Sequence, residues 1–194
     1  RGLADSFQVF LIDAPGHGGS DTVNPLDLPT MANAVFDFAR QQGLQRLSLL
    51  GHSLGGKIAM ELALEHPEAV EKLIVADIAP VQYARRHTDI IAALQSVDLD
   101  TLSGRSDADK QLQSRIPEIG VRGFLLKSLA RNPQGTGWYW RFDLTQLAQQ
   151  YDRLIAANRE GRFDKDVLFL VGGNSQYVRP EYKDDIMSRF PKAQ

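Results

Sequence analysis

The 194-residue chain contains no cysteine, which excludes disulfides, thiolate metal sites and a cysteine nucleophile and leaves serine to carry any acyl chemistry. Positive charge is not in excess: 22 Lys and Arg stand against 24 Asp and Glu, a net charge of −2, with no dense basic run. The electrostatic footprint of a nucleic-acid or anionic-membrane binder is therefore missing, and a small, weakly charged ligand fits better. No apolar run approaches the length of a membrane span, and no basic start with a small-residue cleavage site marks a signal peptide, so the expected compartment is the cytoplasm. Histidine is scarce. The four present lack ligand-like spacing, and Gly16-His17-Gly18-Gly19 lacks the order and the following helix of a dinucleotide site, so neither a metal nor a cofactor is expected. What remains is the composition of one substantial globular core, 43% apolar and 24% charged.

Strand and helix alternate over the first 79 residues. Residues 7–12 (FQVFLI) form an apolar run that ends in a turn cluster, Asp13 to Ser20, and read as a buried parallel strand with Asp13 as a turn former. Thr30 can cap a helix over residues 30–42 that Gly43 ends; residues 44–50 and 72–76 read as two further strands, the second leaving Asp77 at its C-terminal edge. Such alternation predicts an α/β fold with a parallel sheet flanked by helices. From Pro80 the alternation stops, and helical patterns over 84–97, 107–116, 121–130 and 144–158 predict a helical cap insertion spanning residues 80–162. Within it, residues 137–142 (GWYWRF) are the densest aromatic cluster, readable as a packing anchor or as the wall of a substrate pocket. Strand character returns at 167–171, with a last helix over 181–190. The expected division is thus a core of residues 1–79, the insertion, and a core segment of residues 163–194.

The chemistry centres on Gly51-His52-Ser53-Leu54-Gly55, entered from an apolar run and left by a helical pattern. In such a strand-turn-helix Ser53 is forced into a strained conformation that lifts its Oγ above the sheet; this is the nucleophile elbow of the α/β-hydrolase fold, and its plain alternative is a glycine-rich connection without chemistry. A serine hydroxyl needs a base and a carboxylate behind the base, and the backbone N–H of Leu54 would give one oxyanion donor. Residues 172–178 hold no carboxylate, so Asp77, on the same rim as Ser53, is the candidate acid, with an Asx turn before Pro80 as its structural reading. No histidine follows His87, so the base is expected beyond Gln194. His17, His52, His66 and His87 read chiefly as structural or surface residues.

The elbow with its extension Gly56-Lys57, the segment Asp77-Ile78-Ala79-Pro80-Val81-Gln82-Tyr83, Arg85-Arg86-His87, Phe124-Leu125-Leu126-Lys127, Gly172-Gly173-Asn174-Ser175 with Tyr177-Val178, and Tyr182-Lys183-Asp184-Asp185 resemble the YbfF-type esterases of the α/β-hydrolase superfamily. The resemblance implies a serine carboxylesterase or thioesterase that hydrolyses small acyl esters or acyl-CoA through an acyl-serine, with Ser53 and Asp77 as nucleophile and acid. In this setting Arg85, Arg86 and Lys127 are either partners of CoA phosphates or a solvated face. A C–C hydrolase or lyase on the same scaffold, and a non-catalytic ligand-binding form, are the alternatives. Members of that family also carry a strand and a His-Gly oxyanion loop before the region of Arg1, and a strand with a Gly-His turn after that of Gln194. Each unpaired buried backbone group would cost about 1–3 kcal/mol against a domain stability of roughly 5–15, so the 194 residues alone are expected neither to fold natively nor to hydrolyse esters.

Overall fold

The computed structural model describes residues 2–194. Helix α1 (Leu28–Gln41) starts where the Asp27 carboxylate accepts from the Thr30 N–H at 2.9 Å, so Asp27 caps the helix and the expected cap, Thr30, lies one turn inside it. Strand β1 (Leu47–His52) leads into α2 (Leu54–Glu65), and β2 (Val70–Ala76) follows. Helix α2 is apolar on nearly every side, and residues 56–64 are all buried, as a helix must be when it is enclosed by neighbours all round. Each fully covered aliphatic side chain here, such as Leu62 on α2 and Leu73 on β2, contributes about 1.5–3 kcal/mol.

The next elements are α3 (Thr88–Gln95), α4 (Arg105–Leu112), α5 (Ile119–Leu125), the short antiparallel pair β3 (Leu129–Arg131) and β4 (Trp138–Trp140), α6 (Leu144–Gln149) and α7 (Tyr151–Leu154). They build their own apolar cluster from Ala93, Leu94, Leu112, Ile116, Leu129 and Trp140, with Trp138 and Phe142 packed against it. The aromatic run thus acts as an anchor through Trp138, Trp140 and Phe142, and Trp140 and Phe142 also line a surface cleft together with half-exposed Tyr139. Strand β5 (Val167–Leu170) and helix α8 (Lys183–Arg189) return to the first cluster, where Phe163, Phe190 and Ile186 meet Leu62, Leu73 and Val75.

The main sheet is parallel, in the order β1-β2-β5. Its register puts His52 beside Ala76 and Ala76 beside Leu170, so all three strands end on one level. Five expectations change. Residues 7–12 form no strand: among the described residues no strand pairs with them, and without a ladder the run is left irregular, with Leu11 96% exposed. The helix expected over 121–130 stops at Leu125, because Leu129 to Arg131 pair with Trp138 to Trp140. The pattern over 144–158 breaks at Gln150, whose side-chain carbonyl accepts from the Leu26 N–H at 2.9 Å and ties the break to the core. The helix expected from residue 84 begins at Thr88, and that expected from 181 begins at Lys183 after a single 3-10 turn.

Candidate active site

The common end of the three strands positions the site. One residue past β1, the Ser53 N–H donates to the Ala76 carbonyl at 3.0 Å; one residue past β2, the Asp77 N–H donates to the Leu170 carbonyl at 2.8 Å. Both residues therefore finish the ladder and then leave it abruptly, at φ +51° for Ser53 and +57° for Asp77. Among the described residues they are the two non-glycine residues with positive φ. Aspartate tolerates that region; for Ser53, at ψ −120°, it is strained, at a cost on the order of 1–3 kcal/mol. The strain is held by close packing: a Cβ on Gly51 would collide with the Gly55 carbonyl, and one on Gly56 would lie 2.6 Å from Ile78 Cγ2, so only glycine lets α2 start this near β1.

Ser53 precedes the first turn of α2 and its side chain forms no cap, so the hydroxyl is not tied to the helix it introduces. Leu54 opens α2, and its N–H belongs to the first helical turn, whose donors have no intrahelical acceptor and face developing negative charge favourably. The Asp77 Oδ1 accepts from the Gly172 N–H at 3.2 Å, which ties Asp77 to the loop after β5. Ser53, Asp77 and Gly172 thus share the C-terminal rim where open α/β sheets bind ligands.

The histidines are engaged elsewhere. His17 Nδ1 lies 3.1 Å from the Pro15 carbonyl, and His66 closes α2, stacked on Phe36 at 3.9 Å. His52, the last residue of β1, is exposed. His87 sits between Tyr151 and Tyr177, and burial with the neighbouring Arg86 charge holds it below the usual histidine value. Asp13 acts in its turn, accepting from the Gly19 N–H at 2.9 Å; its carboxylate occupies the space a Cβ on Gly18 would need. Of the basic residues, Arg85 is bound through two 2.6 Å contacts to Asp152, and Arg86 lies 5.9 Å from the centre of the Tyr177 ring. Lys127, with Asp13 and Arg141, borders a cleft of about 210 Å³ whose wall includes neither Ser53 nor Asp77.

Residue patterns alone left one part of the surroundings undetected. Lys57, 2% exposed, donates from Nζ to the Val81 carbonyl at 2.8 Å and to that of Ala156. One turn on, Glu61 accepts from Asn158 Nδ2 at 2.9 Å and Arg159 Nε at 2.8 Å. These bonds fasten the segment after Asp77 and the segment leaving α7 onto the elbow helix. The available signal was a Lys and a Glu four residues apart inside an otherwise apolar helix. Burial lowers the Lys57 pKa to about 7, opposed by Glu61. The unfolded chain, at the ordinary 10.5, binds this proton more tightly, so the penalty is full below pH 7 and is relieved as the pH rises toward 10.5. In the natural full-length protein, urea unfolding at pH 7 and pH 9.5 should show a gain on the order of 2 kcal/mol that Lys57→Met abolishes, and equal gains in both proteins would refute the assignment.

Comparison with known proteins follows the same lines. The model of the Alpha/beta hydrolase family matches residues 1–194. The chain is 34% identical over 194 residues to Esterase YbfF of Escherichia coli (strain K12), covering 100% of this chain and 74% of that protein. It is 38% identical over 194 residues to the sn-1-specific diacylglycerol lipase ABHD11 of Mus musculus, covering 96% of this chain and 62% of the lipase. Among solved structures, a marine microorganism esterase superposes with a TM-score of 0.93 at 33% identity, over 100% of this chain and 77% of that one.

Proposed function

Because the chain belongs to the Alpha/beta hydrolase family, we propose that it carries the nucleophile and the acid of a serine ester hydrolase. Ser53 Oγ attacks the acyl carbonyl carbon while its proton passes to an imidazole. The tetrahedral oxyanion is met by the Leu54 N–H. Collapse breaks the bond to the alcohol or thiol, which takes the proton back and leaves an acyl-serine. Water, deprotonated by the same imidazole, then attacks the acyl carbon and releases the acid and free Ser53. Asp77 orients the imidazole and stabilises its charged form. We assign the base to a histidine outside these 194 residues, since three of the four here are bonded or stacked elsewhere and His52, inside the elbow, is too close in sequence to reach back easily to Ser53.

The observation that carries this reading is a pairing: the strained Ser53 and Asp77 leave adjacent parallel strands at the same level, each at positive φ. Backbone strain of this kind persists where the surrounding structure over-determines it, and it concentrates at functional sites. The substrate class proposed is a small acyl ester or thioester, acyl-CoA included; the named activities of the relatives, esterase and diacylglycerol lipase, support the ester bond as the one broken. Among the described residues no helix is long and apolar enough to cross a membrane, and no cluster of His, Asp and Glu is arranged to hold a metal ion.

A fluorophosphonate probe tests the nucleophile. Peptide mass spectrometry of the natural full-length protein should find the adduct on the peptide containing Ser53. Labelling at another serine, with Ser53 unmodified, would sink the assignment.

A further inference from the structure

The loop after β5 does more than end a strand. Its second residue, Gly172, donates from its N–H to Asp77 Oδ1 at 3.2 Å. Internal bonds stiffen it: Ser175 N–H to the Gly172 carbonyl at 2.9 Å, and Tyr177 N–H to Ser175 Oγ at 3.1 Å. At its far end the Tyr177 carbonyl accepts from the Tyr83 hydroxyl, which in turn accepts from the Ala79 N–H at 2.8 Å, two residues past the acid. The Tyr177 hydroxyl lies 2.9 Å from His87 Nε2, and His87 Nδ1 lies 2.8 Å from the hydroxyl of Tyr151, the first residue of α7. The two rings lie nearly parallel, with planes 12° and centroids 6.4 Å apart, joined end to end through that hydroxyl.

We propose that His87 and Tyr177 are positioning residues, forming a brace that ties the starts of α3 and α7 to the loop holding Asp77 and so fixes the direction of its carboxylate. The inference rests on Asp77 being the acid proposed above. A neutral imidazole has one donor and one acceptor nitrogen, and each faces a tyrosine hydroxyl able to play the complementary part. Burial, Tyr151 and the Asp77 charge all keep the Tyr177 hydroxyl protonated, with Arg86 opposing them, so it stays available for this bond. Side chains from the helical segment thereby bear on the acid without touching the reacting atoms.

The test uses the natural full-length protein and p-nitrophenyl butyrate. His87→Phe keeps an aromatic ring at the position and deletes both bonds. It is expected to lower kcat about tenfold with KM within twofold, and to move the acidic limb of the kcat/KM profile to lower pH as the carboxylate supports the imidazolium less well. His87→Gln restores a polar group near the Nε2 position and should recover at least half of kcat. Tyr177→Phe should match His87→Phe, and the double variant should be no slower than either single one. If His87→Phe fails to fold, Tyr177→Phe decides, since it loses only a hydroxyl. Wild-type kcat in Tyr177→Phe, an unmoved acidic limb, or no rescue by glutamine overturns the brace. Ser53→Ala separates the two readings: activity kept within a few-fold there defeats the serine mechanism, whereas a loss of at least about 10⁴-fold in Ser53→Ala beside a fully active Tyr177→Phe defeats the brace alone.

Discussion

Ser53→Ala in the natural full-length protein is expected to lower kcat for p-nitrophenyl butyrate by at least about 10⁴-fold while leaving the melting temperature unchanged or slightly raised. The two halves of that result come from the same geometry. The hydroxyl makes no cap bond to α2, so its loss removes no support from that helix. Alanine keeps the Cβ and therefore the backbone preference at φ +51°, and the close approach of Gly51 to Gly55 that enforces this conformation is untouched. What disappears is the oxygen that bonds to the acyl carbon. The Leu54 N–H and any substrate-binding surface remain, which is why a small residual rate above the uncatalysed one is expected. Steady-state kinetics beside a thermal melt would check it; activity kept within a few-fold would end the serine mechanism.

The second large effect separates the two roles open to Asp77. Asparagine retains an oxygen that can accept from the Gly172 N–H and is among the residues most tolerant of positive φ, so Asp77→Asn keeps the turn. It removes the negative charge that stabilises an imidazolium and offers that ring an amide donor where it needs an acceptor. A loss of about 10³–10⁴-fold in kcat with a melting temperature within a few degrees is expected if Asp77 is the acid. Were the residue only an Asx turn former, kcat would be kept. Alanine is the less informative change, because it deletes the bond to Gly172 and the charge together.

These expectations were open to sequence reasoning because the elbow is a local device. A strand, a glycine two positions before and two after a serine, and a helix suffice to force the strain, and no distant residue is needed. The strands at 72–76 and 167–171 were legible for a similar reason: short apolar runs bounded by turn formers fit a sheet covered on both faces, and both were found within two residues of their expected bounds. The run over 7–12 has the same composition and yet forms no strand, since a strand is defined by its partner. The helix expected through residue 130 failed in the opposite direction, when a hairpin partner some nine residues away took Leu129 to Arg131 out of the helical pattern.

By itself the sequence determined the class of fold, the parallel order of strand and helix, the position of the strained serine and the rim on which an acid could face it. Those follow from periodicity, turn chemistry and the size of glycine, all of which act over a few residues. Only the tertiary structure decided which polar groups meet: Lys57 with the carbonyls of Val81 and Ala156, Glu61 with Asn158 and Arg159, and His87 with tyrosines 64 and 90 positions away. Such contacts depend on where the insertion returns to the core. Buried polar atoms must find partners wherever the packed chain brings them, and no local rule names those partners in advance.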